Sequence, residues 1–307
     1  MITDHNTRGT WGALIAGCIF GINSIVVKIG TLHGVSILNI LLCQYALALV
    51  WFNAKRLRQR SGHPPLSIHT LLKNPYNWVA GIAGGLTGLL YYAAIALTKP
   101  SIAALGLFQY PWMLVILGVL FYRERITFRV ITITGLVWAG TILSMGLGPH
   151  RFNILGLLLS LLAAGTFAIY LWSLQRVSPS STSQAFIVLV AAIITVIFAL
   201  MHLKLLSRLT NAALFFGGLS AILGQVLTFE LLSFAAKRIS STTMATLTTT
   251  ELVVAVGLSW AIWGPSPHIE QILGLILMFS SIIWLKRQKS SPAVDAKNSL
   301  TQGKSHL

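Results

Sequence analysis

Glu251 is an acidic residue inside the apolar segment TLTTTELVVAVGLSW. It is the one charged residue between Arg238 and His268, a gap about as long as a membrane-spanning helix, roughly 20 residues. A charge near the centre of a bilayer costs on the order of 2–3 kcal/mol. Thr248 and Ala255 share its helical stripe, so the acid is expected to face protein rather than lipid. Three roles are open: a proton-coupling site, a ligand for a cationic group, or a structural hydrogen-bond donor.

Lys28 is the basic counterpart of this acid, near the end of the first apolar run. Gly17, Gly21, Ser24 and Lys28 recur at spacings of 4, 3 and 4, so they form one helical stripe. Small residues on a stripe are typical of close helix contact, which predicts that Lys28 points into a helix bundle. It could face an outer vestibule and pair with an anionic ligand or a buried acid, or it could snorkel towards water. Asn23 could bind a ligand or join two helices.

Aromatic residues and one amide are concentrated in two neighbouring apolar runs: Tyr91, Tyr92, Gln109, Tyr110 and Trp112. Such a set is typical of a cavity for an organic solute. Ordinary helix packing, with the tryptophan in the core, is the alternative.

Glu230 lies in the segment LTFELLSFAAKR, seven residues before Lys237 and therefore on the same helical face. A structural ion pair near the end of this run is as compatible with that spacing as a role in a site. The segment GIAGGLTG contains two overlapping GxxxG frames, Gly81–Gly85 and Gly84–Gly88. These frames predict a helix-packing seam, because no Gly-Lys-Ser/Thr follows to form a phosphate loop.

Catalytic and metal-binding motifs are absent from the sequence. It contains no H-E-x-x-H, C-x-x-C or G-x-S-x-G motif, and its eight histidines fall at the ends of apolar runs, in loops or in the tails. Neither a metal nor a cofactor is expected. The two cysteines, Cys18 and Cys43, lie inside apolar runs and do not form a disulfide framework.

The elements that must position these residues are long apolar helices. The 307 residues are 55% hydrophobic and only 9% charged, whereas a soluble protein has about 25% charged residues. This composition predicts an all-α integral membrane protein. Ten transmembrane helices are expected at about 11–29, 35–54, 76–97, 101–121, 127–147, 152–174, 184–203, 210–236, 240–263 and 268–286.

The distribution of charge predicts the orientation of these helices. With the N-terminus in the cytoplasm, 17 of the 22 Lys and Arg residues fall on the cytoplasmic side of the ten-helix arrangement. The C-terminus then also lies in the cytoplasm. The formal net charge of +16 is explained by this orientation and does not indicate a nucleic-acid partner.

An internal repeat divides the chain into two five-helix halves, 1–147 and 152–286, followed by a tail at 287–307 that is expected to be disordered and cytoplasmic. Gly12 and Gly21 are nine residues apart in the first helix, and Gly156 and Gly165 are nine apart in the sixth. Because each half has an odd number of helices, the second half is inverted relative to the first. Inverted repeats place a substrate site between the halves near the membrane midplane.

The sequence resembles the EamA-like proteins of the drug/metabolite transporter superfamily over nearly its whole length. The resemblance rests on FGINSIVVK, on ALTKPSIAALGLFQYPWMLVILGVLFYRERIT and on TLTTTELVVAVGLSWAIWG followed by QILGLIL. Two features depart from the family pattern: Leu252, not proline, follows Glu251, and Pro265, not glutamate, follows Gly264. Without the proline, the ninth helix is expected to be straighter than is usual in the family. In the first half the acidic residue of the family pattern is present, as Glu124.

The resemblance implies a secondary transporter in a bacterial inner membrane. An exporter of a small metabolite, such as an amino acid or related organic solute, or of a drug, working by alternating access, is the leading hypothesis. The proton is a candidate coupling ion. A membrane-embedded enzyme such as a lipid-modifying transferase is disfavoured because no polar cluster suits catalysis. A channel is disfavoured because no continuous polar stripe is evident. Both a monomer and a homodimer stay open.

Overall fold

The computed structural model describes residues 2–58, 68–98, 100–122, 128–145, 153–178, 180–205, 210–239, 241–264 and 268–286. Glu124 and the predicted tail lie outside these residues. The described parts of the chain are helical and contain no strand. The helices are α1 (Ile2–Leu32), α2 (Ile37–Arg58), α3 (Ile68–Lys73), α4 (Pro75–Leu97), α5 (Pro100–Leu107), α6 (Tyr110–Tyr122), α7 (Phe128–Met145), α8 (Ile154–Leu174), α9 (Ser181–Met201), α10 (Asn211–Ser220), α11 (Thr228–Ala236), α12 (Ser241–Thr248), α13 (Thr250–Trp263) and α14 (Ile269–Lys286).

Polar caps set the N-terminal ends of several helices. The Asn74 side chain accepts a hydrogen bond from the backbone N–H of Tyr76, and proline occupies the first position of α4. Asn153 caps α8 and Thr210 caps α10 in the same way. These caps satisfy N–H groups that have no partner within the helix, so each apolar run begins at a defined residue.

Six helical spans are long and apolar enough to cross a membrane: Thr7–Leu32, Ile37–Arg58, Pro75–Leu97, Ile154–Leu174, Ser181–Met201 and Asn211–Ala236. Two shorter apolar helical segments, Ile102–Leu114 and Thr250–Trp263, accompany them. All six long spans coincide with predicted transmembrane helices. Integral membrane character is therefore supported, whereas the number of ten crossings stays a prediction.

The exterior of the described helices is apolar and the interior contains the polar groups. Large side chains such as Val50, Leu162 and Phe215 are more than half exposed. Conversely, Asn23 is fully buried, although such a side chain normally lies at the surface of a soluble protein. This inverted pattern fits helices surrounded by lipid.

Three of the predicted helices are interrupted. The fourth breaks at Phe108 and Gln109 between α5 and α6, and the ninth breaks at Thr249 between α12 and α13. A π-helical turn, Ala221–Leu227, separates α10 from α11. The expectation of a straighter ninth helix than is usual in the family stays a prediction. At Thr249 the α-helical pattern is interrupted without a proline, and the Leu252 N–H bonds to the Thr249 carbonyl, three residues back.

The main helix contacts follow an exchange pattern: two helices from different parts of the chain contact each other, and so do their two counterparts. Helix α4 packs on α8, and the corresponding helices α10–α11 and α1 also pack on each other. Helix α4 packs on α9, and the corresponding helices α10 and α2 are likewise in contact. Likewise, α1 contacts α12 and α13 as α8 contacts α5 and α6. Each of these contacts therefore has a counterpart.

The two glycine pairs of the predicted repeat take corresponding places in this pattern. Gly12 lies against α11 and Gly21 against α13, while Gly156 lies against the end of α4 and Gly165 against α6. Gly81 and the neighbouring seam also pack tightly, against Val190 of α9. The predicted glycine seams are thus helix contacts, as small residues permit.

Candidate functional site

Glu251 lies in the first turn of α13, directly after the break at Thr249, and its side chain is 1% exposed. The Tyr91 hydroxyl on α4 donates a hydrogen bond to Glu251 Oε1 at 3.1 Å. Thr248 and Ala255, predicted to share its stripe, are also buried. The acid therefore faces the interior and is bound across the helices, as the sequence predicted for its orientation.

Ser24 extends this contact to α1. Its Oγ lies 3.0 Å from the Tyr91 hydroxyl and 3.2 Å from the Phe20 carbonyl oxygen. Because a tyrosine hydroxyl has one proton, Tyr91 cannot donate to Glu251 and to Ser24 at the same time. When Tyr91 donates to the acid, Ser24 must donate to Tyr91.

A second, amide-rich network surrounds Tyr92, the next residue on α4. Its hydroxyl accepts from Asn23 Nδ2 and donates to Gln44 Oε1, both at 2.7 Å. Ser220, at the start of the π-helical turn, lies 3.1 Å from the same hydroxyl and is 2.7 Å from Asn23 Oδ1. Gln44 Nε2 donates to Gln225 Oε1 at 3.1 Å. Buried polar groups of α1, α2, α4 and the π-helical turn are thus hydrogen-bonded to one another.

A small cavity lies beside both networks, with a volume of about 20 Å³. It has room for roughly one water molecule, whereas pockets for organic ligands enclose about 300–1,000 Å³. Its polar lining includes Gln44, Thr87 and Gln225, and its aromatic lining consists of Phe20, Tyr45, Tyr91, Tyr92, Phe167, Tyr170 and Phe229.

The family model of the EamA-like transporters matches the chain twice, over residues 7–146 and 151–287. The chain belongs to the EamA-like transporter family. Within the drug/metabolite transporter superfamily it is therefore a multi-pass membrane transporter, and the resemblance stated from sequence motifs is confirmed.

A crystal structure of another protein also has this fold. That protein is 17% identical to the EamA-like chain, with a TM-score of 0.68 over 91% of this chain and 95% of its own. At this identity the likeness shows the fold alone. No match was found among the curated proteins.

Lys28 of this EamA-like transporter caps the C-terminal end of α4. Its Nζ donates to the carbonyl oxygens of Thr98 at 2.7 Å and Ile95 at 3.1 Å. A cation at the carbonyl end of a helix is stabilised by the helix dipole. Lys28 therefore points into the bundle as the glycine stripe predicted, but its partners are backbone carbonyls of α4 and not the carboxylate of Glu251.

The aromatic candidates separate into two groups. Tyr91 and Tyr92 line the cavity, whereas Gln109, Tyr110 and Trp112 do not. Gln109 bonds locally, to the Leu105 carbonyl and to Trp112 Nε1.

Tyr110 joins the two interrupted helices. Its hydroxyl is hydrogen-bonded to that of Thr248, the last residue of α12. Tyr110 itself begins α6, so the contact links the points at which α5–α6 and α12–α13 are broken. The ring of Tyr110 packs edge-on against Phe167, which lines the cavity. Tyr110 thus packs against the cavity wall without lining the cavity itself.

Glu230 forms an ion pair with Lys55 of α2 at 2.6 Å, and Trp51 Nε1 donates to the same carboxylate oxygen. The partner inferred from the sequence, Lys237, is wrong: its Nζ instead donates to the Gln175 carbonyl, and burial lowers its pKa. Helical spacing predicts a common face for Glu230 and Lys237, but α11 ends at Ala236 and α2 supplies the cation instead. Glu230 therefore belongs to an ion pair with Lys55 and does not line the cavity. No described residue of the cavity lining is charged.

Gln44, Ser220 and Gln225 were missed as candidates from the sequence. Each is a polar residue within an apolar run, the one signal that could have indicated them, since polar groups in membrane helices are commonly functional. Their convergence depends on helices that are about 180 residues apart in the chain, which periodicity alone does not predict.

Proposed function

We propose that the protein is a secondary transporter that exports a small organic metabolite, such as an amino acid or related solute, or a drug, by alternating access. The observation that carries the proposal is the buried network of Glu251, Tyr91 and Tyr92 beside a small cavity. The cavity is far smaller than an organic ligand. A substrate can therefore occupy it only when the surrounding helices separate, and separation on alternate sides would constitute transport.

The proposed architecture is ten crossings arranged as two inverted five-helix repeats, 1–147 and 152–286. The exchange pattern of helix contacts and the two separate family matches support it. The predominance of Lys and Arg on one side supports an N-terminus and a C-terminus in the cytoplasm of a bacterium, with the protein in the inner membrane. The site then lies between the repeats. Either a monomer or a homodimer is compatible with this arrangement.

Glu251 is the proposed proton-coupling residue. As a carboxylate it accepts from Tyr91, so Ser24 donates to Tyr91. As a neutral acid it can donate to Tyr91, which then donates to Ser24, and Ser24 to the Phe20 carbonyl. Each protonation state thus has its own complete set of hydrogen bonds between α13, α4 and α1. Substrate-dependent opening of these helices would then depend on whether the proton is bound.

A structural role is proposed for Glu230 and for Lys28. Both are satisfied by partners outside the cavity, Lys55 and the α4 carbonyls respectively. The enzyme and channel alternatives have less support. Among the described residues no three of His, Cys, Asp and Glu come together as a metal-binding group, and the polar residues form a closed cluster rather than a continuous path.

A flux assay in proteoliposomes tests the proposal. The purified protein is screened for efflux of radiolabelled amino acids and organic cations, with and without an imposed pH gradient. Saturable flux that responds to the gradient is expected. Flux that never saturates would indicate a channel, and chemical conversion of a solute without flux would indicate an enzyme.

A further inference from the structure

The Tyr170 hydroxyl is an unused polar group in the cavity wall. Its side chain is fully buried and lines the cavity, yet its oxygen has no hydrogen-bond partner among the described residues. The ring is held by Phe229 at 5.1 Å and by Phe167 at 6.1 Å between centroids. Packing therefore fixes the position of a hydroxyl that nothing in the described protein satisfies. Such groups are rare in native structures because their burial is costly.

Gln225 supplies a second hydrogen-bond donor in the cavity lining. Gln44 Oε1 accepts from Tyr92 and from Ser220, which leaves Gln44 Nε2 to donate to Gln225 Oε1. The orientation of the Gln225 amide follows from that bond, and its Nε2 forms no hydrogen bond with the described residues. Tyr45, also 2% exposed and lining the cavity, has a hydroxyl that likewise forms no hydrogen bond with the described residues.

These three groups have a common chemistry. An amide NH₂ only donates, and each tyrosine hydroxyl can donate. No described lining residue has a charge, so a carboxylate that bound here would be buried without a counter-ion, which is unfavourable. An uncharged acceptor oxygen could take the same hydrogen bonds without that cost, and the aromatic walls suit a flat apolar body.

We propose that Tyr170, Tyr45 and Gln225 form a subsite for an uncharged acceptor oxygen, a carbonyl or amide, of a flat organic substrate that enters when the surrounding helices separate. The inference rests on the proposed function insofar as this ligand is the transported solute. The substrate then presents an amide or carbonyl, and not a free carboxylate, to this part of the cavity. Glu251 does not line the cavity and is reached from it through Tyr91.

Thermal unfolding of the detergent-purified full-length protein tests the subsite without measuring transport. The probes are benzamide, which joins a ring to an uncharged acceptor, benzoate, which has a charged one, and toluene, which has none. Benzamide is expected to raise the unfolding temperature in a saturable manner and the other two are not. In Tyr170→Phe the apparent affinity for benzamide should fall by roughly tenfold, the usual effect of one hydrogen bond.

The unliganded Tyr170→Phe protein should unfold no earlier than the wild type, because the substitution removes an unpaired buried hydroxyl. Tyr76→Phe is the matched control: it removes a hydroxyl outside the cavity lining and should leave benzamide binding unchanged. Tyr45→Phe provides a second variant, with the same expected loss of affinity.

Three results would overturn the proposal. They are equal benzamide stabilisation of wild type and Tyr170→Phe, stabilisation by benzoate as strong as by benzamide, and an unliganded Tyr170→Phe protein that unfolds earlier, as expected if the hydroxyl only holds a structural water. Because no flux is measured, a protein that binds benzamide through Tyr170 but transports nothing would contradict the transport proposal alone.

Discussion

Glu251 and Glu230 are in opposite electrostatic situations within the same protein. The carboxylate of Glu230 is neutralised by Lys55 and is about one-third exposed. Glu251 is buried and its described hydrogen-bond partner is the uncharged hydroxyl of Tyr91. A buried acid without a counter-ion exchanges a proton at a lower cost to its surroundings than one in an ion pair, since no partner charge is left unpaired.

Replacement of Glu251 tests whether this residue couples proton movement to transport or only packs between helices. Glu251→Gln should fold nearly normally, because an amide can still accept from Tyr91, but flux driven by a pH gradient should fall by roughly tenfold or more if the proton is obligatory. Glu251→Asp should keep part of the coupled flux. The measurement is substrate flux against external pH at matched expression.

Glu230→Gln is the control for that experiment. It removes a partly exposed ion pair, which contributes about 0–1 kcal/mol, and it should leave the pH response unchanged. If Glu251→Gln instead has the flux and the pH response of the wild type, Glu251 has only a packing role.

Tyr91→Phe should destabilise the protein more than Ser24→Ala. Without the phenol, the buried acid loses its described partner, at a cost of about 1–3 kcal/mol. Without the serine hydroxyl, Tyr91 still donates to Glu251. Thermal unfolding of the two purified variants compares the costs, and equal unfolding temperatures would show that the Tyr91–Glu251 bond contributes little.

At the scale of helices, the contact of α1 with α13 is as close as backbone allows. A Cβ on Gly21 would approach the Glu251 carbonyl oxygen at 2.6 Å and the Val254 Cβ at 2.8 Å. Gly17 makes a similarly close contact with Thr248 and Thr250. Glycine at these positions thus determines how near α1 can come to the helix that contains Glu251.

Gly21→Leu should therefore abolish transport without preventing membrane insertion. The added side chain has to separate α1 from α13, and overpacking of this kind costs about 1–3 kcal/mol. Gly257→Leu is the matched control in α13, because a Cβ there meets nothing within 4 Å. Transport is measured at equal membrane abundance, and normal flux in Gly21→Leu would contradict the proposed role of this contact.

At the scale of the whole molecule, the proposed orientation places the ends of α2 and α9 on opposite sides of the membrane. In a protein whose native cysteines Cys18 and Cys43 have been replaced, a cysteine at Lys204 should react with an impermeant maleimide in intact cells. A cysteine at Arg58 should react only after the membrane is permeabilised. Both positions are exposed in the structure, so reaction of Arg58→Cys in intact cells would contradict the ten-crossing arrangement.

The resemblance of sequence motifs indicated the family. Sequence composition and spacing were sufficient to predict the helical membrane class, the glycine contacts and the inward orientation of Glu251. These properties depend on local periodicity and on the cost of polar groups in lipid, both of which act within one helix. The partners of the polar groups were decided by tertiary packing. Lys28 bonds to α4 carbonyls, Glu230 pairs with Lys55, and Gln44 meets Gln225 across 181 positions of the chain. Which side chains meet depends on the rotation and neighbours of helices far apart in sequence, and one helix does not encode that information.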